Sequence, residues 1–172
     1  MTRPEAGHTV LSFPRVPMRT LEGQLNLRDA RFCILAARFN DRIVEDLVRG
    51  ALDALKRHGV PETAIDLVRV PGAFELPLAA KRVARTRQHD GLIALGAVIR
   101  GATPHFDYVC GECAAGLNRV SLEFDVPIGF GVLTCDTVDQ AVERSGVKHG
   151  NKGADAALAA IEMVSLLRQI AS

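Results

Sequence analysis

The feature that most restricts the fold is an alternation: short, almost uninterrupted apolar runs take turns with segments whose apolar residues recur at helical spacing. RFCILAA (31–37) is the first such run, and DRIVEDLVRGALDALKRHG (41–59) follows it. In that second segment Ile43, Val44, Leu47, Val48, Ala51, Leu52 and Leu55 share one stripe of a 3.6-residue period, which predicts a strand followed by an amphipathic helix. Asn40 stands where an N-cap belongs, and Gly59 where a helix stops. The pattern returns as IDLVRV (65–70) then FELPLAAKRVART (74–86), as GLIALGAV (91–98) then HFDYVCGECAAGLNRVSLEF (105–124), and as PIGFGVLT (127–134) then TVDQAVERSG (137–146). A last helix runs through ADAALAAIEMVSLLRQI (154–170). Strands that are apolar on both faces need cover on both faces, and right-handed crossover helices supply it. The expected fold is an α/β three-layer sandwich, with a mostly parallel four-stranded sheet flanked by helices.

Residues 1–25 carry three prolines and no sustained period, so they read as an N-terminal arm or tail, with 26–172 as a single domain. Basic and acidic residues nearly balance, 21 against 20, which gives no field to recruit nucleic acid. No apolar run approaches the roughly 20 residues that span a bilayer, and no apolar signal core opens the chain, so no membrane partner and a cytoplasmic location are expected. Cys110-Gly-Glu-Cys113 formally spells a redox pair or half a zinc site. Cys33 and Cys135 lie apart inside apolar runs, and no second close pair of ligands exists, so no metal is expected.

Sheets of this kind bind ligands at the carboxyl ends of their strands, so the chemistry belongs at the strand-to-helix joints. These read Arg-Phe-Asn (38–40), Val-Pro-Gly-Ala-Phe-Glu (70–75), Ile-Arg-Gly-Ala-Thr-Pro-His (99–105) and Thr-Cys-Asp-Thr (134–137). At the third, Gly101 lets a ligand approach the backbone, and the N–H groups of Ala102 and Thr103 precede a helix whose positive dipole end favours an anion, phosphate above all. The alternative is a turn glycine beside a solvated Arg100. There is no Walker loop and no dinucleotide fingerprint. His105 opens the next helix, where the dipole favours the neutral imidazole and a general acid/base role. Glu75 reads either as a carboxylate complementing a helix start or as an acceptor for a polar ligand; Phe39 and Asn40 read as core aromatic and N-cap, or as a stacking ring beside a polar group. Arg144 could complete a phosphate clamp or cap its own helix.

Six blocks in order carry a resemblance over about residues 30–170: RFN (38–40), VPGAFELP (70–77), GAVIRGATPHFDYV (96–109), GFGVLT (129–134), AVERSG (141–146) and GNKG (150–153). The chain resembles the 6,7-dimethyl-8-ribityllumazine synthases of riboflavin biosynthesis, transferases of flavodoxin-like fold. The resemblance implies condensation of 5-amino-6-(D-ribitylamino)uracil with 3,4-dihydroxy-2-butanone 4-phosphate, releasing phosphate and water, without metal or organic cofactor. It implies that Phe39 stacks on the pyrimidine with Asn40 at its border, that Val98 and Ile99 contact the same ring, and that Gly72, Ala73 and Glu75 hold the ribityl chain. Gly101, Ala102, Thr103 and Arg144 would receive the phosphate, and His105 would move protons. It further implies a homo-oligomer of pentamers in which Phe130 and Lys152 reach a neighbour's pocket and the arm joins a neighbour's sheet. The short connection 145–152 looks like that of members forming shells of sixty subunits, for which riboflavin synthase is a candidate partner. A family member that only binds a flavin or lumazine, or one serving as a shell scaffold, is the rival expectation; the complete set of joint residues argues for the enzyme.

Overall fold

The computed structural model describes residues 18–171. Four strands, β1 (Phe32–Ala37), β2 (Ile65–Val70), β3 (Gly91–Ile99) and β4 (Ile128–Cys135), form one sheet in the order β2-β1-β3-β4. Every pairing is parallel, with Phe32 opposite Ile65 on one side and Gly91 on the other, and Ile99 opposite Cys135 at the far end. Five helices connect and cover the strands: α1 (Asp41–Arg57), α2 (Leu76–Thr86), α3 (His105–Phe124), α4 (Val138–Arg144) and α5 (Lys152–Ala171). The expected sandwich is thus realised, and the sheet is wholly parallel rather than mostly so.

Side-chain alternation along each strand builds two separate cores. On β1, Phe32, Ile34 and Ala36 pack with Leu47, Leu55 and Ile161 of α1 and α5. Cys33, Leu35 and Ala37 point to the opposite face, with Leu76 and Ala80 of α2 and Cys113 and Leu117 of α3. The α1–α5 pair lies close because small residues line the contact: a Cβ on Gly153 would run into the carbonyl oxygen of Leu47. Gly59, with φ +92, takes the left-handed conformation just beyond α1 and ends it as the sequence predicts.

Two boundaries depart from expectation. A 3-10 turn at Ala73–Glu75 precedes α2, so the helix proper begins at Leu76 with a proline in its first turn, where the missing N–H costs nothing. The last helix begins at Lys152 because Asn151 caps it: its Oδ1 accepts the N–H of Gly153 (2.9 Å) and of Ala154 (3.1 Å). Of the predicted arm, residues 1–17 lie outside the described residues. The part that follows runs along α5, where the Gln24 N–H donates to Ser165 Oγ (2.9 Å) and Gln169 Nε2 to the Glu22 carbonyl (2.7 Å). No helix among the described residues is long and apolar enough to cross a membrane.

Candidate active site

The strand order reverses at β1 and β3: the chain leaves β1 for β2 on one side, then crosses over to β3 on the other. That switch opens a crevice beyond the strand ends, and a cleft of about 750 Å³ lies there. The β1–α1 joint contributes Phe39, which is 72% exposed and held by its N–H to the Pro71 carbonyl (3.0 Å). The β2–α2 turn contributes Gly72, Ala73, Phe74 and Glu75. Beyond it come Ala97, Val98 and Ile99 from the end of β3, then Gly101, Thr103 and His105.

Local chemistry explains several placements. Glu75 Oε2 accepts the N–H of Gly72 at 2.9 Å, so the carboxylate organises the turn as the helix-start reading supposes. Its second oxygen accepts no hydrogen bond among the described residues. The N–H groups of Gly101, Ala102 and Thr103 make no hydrogen bond among the described residues. A Cβ on Gly101 would meet nothing within 4 Å, so packing does not demand glycine there. Pro104 precedes α3 without forfeiting a donor, and its carbonyl accepts the Asp107 N–H at 3.0 Å. His105 is exposed on the first turn with no partner among the described residues.

Asn40 corrects the expectation of a side-chain cap. It occupies the N-cap position, yet its backbone is left-handed (φ 59°, ψ 42°) and its side chain makes no capping bond. Nδ2 instead donates to the Ala97 carbonyl at 2.8 Å. The β1–β3 register ends at Ala36 opposite Leu95, so Ala97 lies past the last rung, and the amide supplies a donor there. Asn40 therefore joins the ends of β1 and β3 beneath the cleft without lining it.

Four other predicted residues also stand outside the cleft lining. Ala102 is exposed at the loop tip. Phe130 is half-exposed on the edge strand β4, opposite Ala94. Lys152 pairs with Asp155 (2.7 Å) at the start of α5. Arg144 ends α4, where its Nη1 donates to the Gln140 carbonyl (3.0 Å), so it does engage its own helix. Its charge is also felt at Cys135, partly offsetting the upward push of burial on that thiol. The Cys135 carbonyl in turn accepts the Arg100 N–H (2.9 Å), so α4's last turn neighbours the base of the 101–103 loop.

Sequence reasoning missed Phe106, Tyr108 and Val109, which also line the cleft. For two of them the signal was available: Tyr108 and Val109, three and four beyond His105, share its face of a helix. Cys110 and Cys113 take no part, and burial raises both thiols, Cys113 to about 12, which disfavours a reactive thiolate. Among the described residues no three His, Cys, Asp or Glu side chains converge as a metal site.

Comparison with models of protein families matches residues 29–168 to 6,7-dimethyl-8-ribityllumazine synthase. The match spans all four strands and nearly all of the five helices, and with them every joint that opens on the cleft. On that coverage, with the parallel sheet and its switch-point cleft, the chain belongs to the 6,7-dimethyl-8-ribityllumazine synthase family.

Proposed function

We propose that this cleft is where the chain performs its family's reaction and that the residues of its joints divide the work. The reaction itself follows from the family: 5-amino-6-(D-ribitylamino)uracil condenses with 3,4-dihydroxy-2-butanone 4-phosphate to give 6,7-dimethyl-8-ribityllumazine, phosphate and water. The observation that carries the assignment is the convergence, in one cleft, of an exposed aromatic, a carboxylate with a spare oxygen, an imidazole and an adjacent loop of unpaired backbone donors.

In this reading Phe39 stacks on the uracil ring, Val98 and Ile99 form its apolar seat, and Asn40 borders it from below. Glu75, with the backbone of Gly72 and Ala73, receives the ribityl hydroxyls. The donors of Gly101, Ala102 and Thr103, beside the positive end of α3, take the phosphate, and Arg144 supplies the cation. An amine of the uracil adds to the ketone carbonyl, and loss of water leaves an imine. A proton shift turns the imine into an enamine, which expels phosphate with the C–O electron pair and leaves an enol. The enol tautomerises to a ketone, and the second amine closes the ring on that carbonyl with loss of a second water. These steps ask for proximity and for protons moved on and off oxygen and nitrogen, which an exposed imidazole at His105 can do. No covalent nucleophile is required, which fits thiols held protonated by burial.

Phe130 and Lys152 belong to the same account as groups offered to the cleft of a neighbouring copy, in a homo-oligomer of pentamers. By resemblance of its short connection 145–152 to that of shell-forming members, the chain builds a shell of sixty subunits, with riboflavin synthase as a candidate guest. Four cysteines, all free, fit a reducing cytoplasmic setting. The test is steady-state kinetics with both substrates on Arg144→Gln. This reading expects a selective loss toward the butanone phosphate; an unchanged KM for that substrate would remove Arg144 from the phosphate site.

A further inference from the structure

Arg100 follows β3 directly and does not line the cleft, yet its side chain is engaged through Nε, Nη1 and the face of the guanidinium. Nε donates to Asp136 Oδ1 (2.9 Å), in the β4–α4 joint. Nη1 reaches both carboxylate oxygens of Asp107 (3.2 and 3.4 Å), in the first turn of α3. The guanidinium carbon lies 4.1 Å from the ring centroid of Phe106, which forms part of the cleft wall. Asp136 is itself fixed, its N–H donating to Gln140 Oε1 (2.9 Å) on α4. One planar group therefore holds three things at once: the segment leading into α4, the first turn of α3, and a ring of the cleft.

The loop between has little else to hold it. Gly101, Ala102 and Thr103 make no hydrogen bond among the described residues, and nothing packs where a Gly101 Cβ would stand. Its geometry is thus set from its two ends, and Arg100 grips both. We propose that Arg100 is a positioning residue, a clamp that fixes the spacing between the 101–103 backbone donors, His105 at the head of α3 and Arg144 at the tail of α4. The inference rests on the phosphate assignment above and deepens it. A lysine could not replace the clamp, because a point charge cannot serve two carboxylates and lie flat on a ring at once.

Magnitudes separate this role from a merely structural one. Exposed ion pairs contribute little to stability, and this side chain is 43% exposed. Misplacement of a reacting group by about 1 Å, in contrast, can cost roughly 10²-fold in rate. Removing Arg100 should accordingly damage kinetics far more than folding, and should do so on the phosphate side of the cleft.

The experiment compares full-length Arg100→Met, Arg100→Lys, Asp136→Asn, the double variant Arg100→Met/Asp136→Asn and Arg144→Gln, with KM measured separately for each substrate. R100M is expected to raise KM for butanone phosphate about tenfold and to lower kcat, with KM for the aminouracil within about twofold and the melting midpoint within a few degrees. R100K should recover only part of this, and the double variant R100M/D136N should be no worse than R100M. If R100M fails to assemble, R100K and D136N carry the same comparison. A normal KM for butanone phosphate in R100M, or equal shifts for both substrates, overturns the clamp. R144Q tells which assumption failed: if it alone raises that KM, the clamp is wrong and the phosphate site stands, whereas if neither variant does, the phosphate assignment falls with it.

Discussion

In the proposed reading His105 moves protons and Arg144 binds the anion, and that division predicts different kinetic signatures. His105→Asn should lower kcat on the order of 10²-fold with little change in either KM, because it removes a proton carrier and leaves binding groups in place. Arg144→Gln should lower kcat/KM for the butanone phosphate by about 10²-fold, the scale of one charge-assisted contact, while binding of the aminouracil persists. Pre-steady-state binding of each substrate, followed by turnover, checks both. At this scale the sequence was most legible where a residue type is unusual for its place. An exposed phenylalanine on a joint, a glycine that packing does not require and a histidine at a helix head all stood out by the strand-end rule. For Asn40 the N-cap position is legible but not the use of its side chain, because the partner, the Ala97 carbonyl, is 57 residues away and invisible to any local pattern. Tyr108 is legible by the same rule, since it stands three residues beyond His105 on one helix face.

Among the elements, α5 bears most on the site, since its start sits beside the turn that carries Arg144. Asn151 organises this corner: Nδ2 donates to the Asp46 carbonyl on α1 and to the Ser145 carbonyl (both 2.8 Å), while Oδ1 caps α5. Asn151→Asp keeps an oxygen for the cap and loses both donors; Asn151→Ala loses everything. Thermal melts should rank wild type above Asp and Asp above Ala, with a total loss of about 2 kcal/mol for the alanine variant. Equal melting of wild type and both variants would mean the corner is held by other contacts. Gly153→Ala tests the packing of α1 on α5, because the new methyl must displace the Leu47 carbonyl; we expect a cost of about 2 kcal/mol, or a midpoint lower by roughly 4–8 °C. Element types followed directly from periodicity. The start of α2 did not, because a 3-10 turn and a proline-bearing first helical turn share composition.

For the molecule as a whole, the two cores make stability depend on alkaline pH. Burial raises the thiols of Cys33 and Cys113 from an ordinary 9.0 to about 12. The folded chain therefore keeps these protons while the unfolded chain releases them, so the contribution is full below pH 9 and is lost as pH climbs toward 12. Denaturant titrations at pH 8, 10 and 11 should show falling stability, and Cys33→Ala/Cys113→Ala, though less stable at neutral pH, should lose less across that interval. An unchanged slope in the double variant would assign the alkaline loss to other groups. The architecture of the molecule was legible because an all-parallel sheet leaves a plain signature, buried strands alternating with amphipathic helices. The proposed assembly rests on resemblance alone, since Phe130 and Lys152 look like any exposed edge phenylalanine and helix-start lysine in one chain. The most direct test of the account is turnover of the two substrates by the purified protein, with lumazine, phosphate and assembly mass recorded on one sample. We predict lumazine and phosphate in equal amounts, well above the uncatalysed rate, from a species larger than a monomer; product formation no faster than without protein would contradict it.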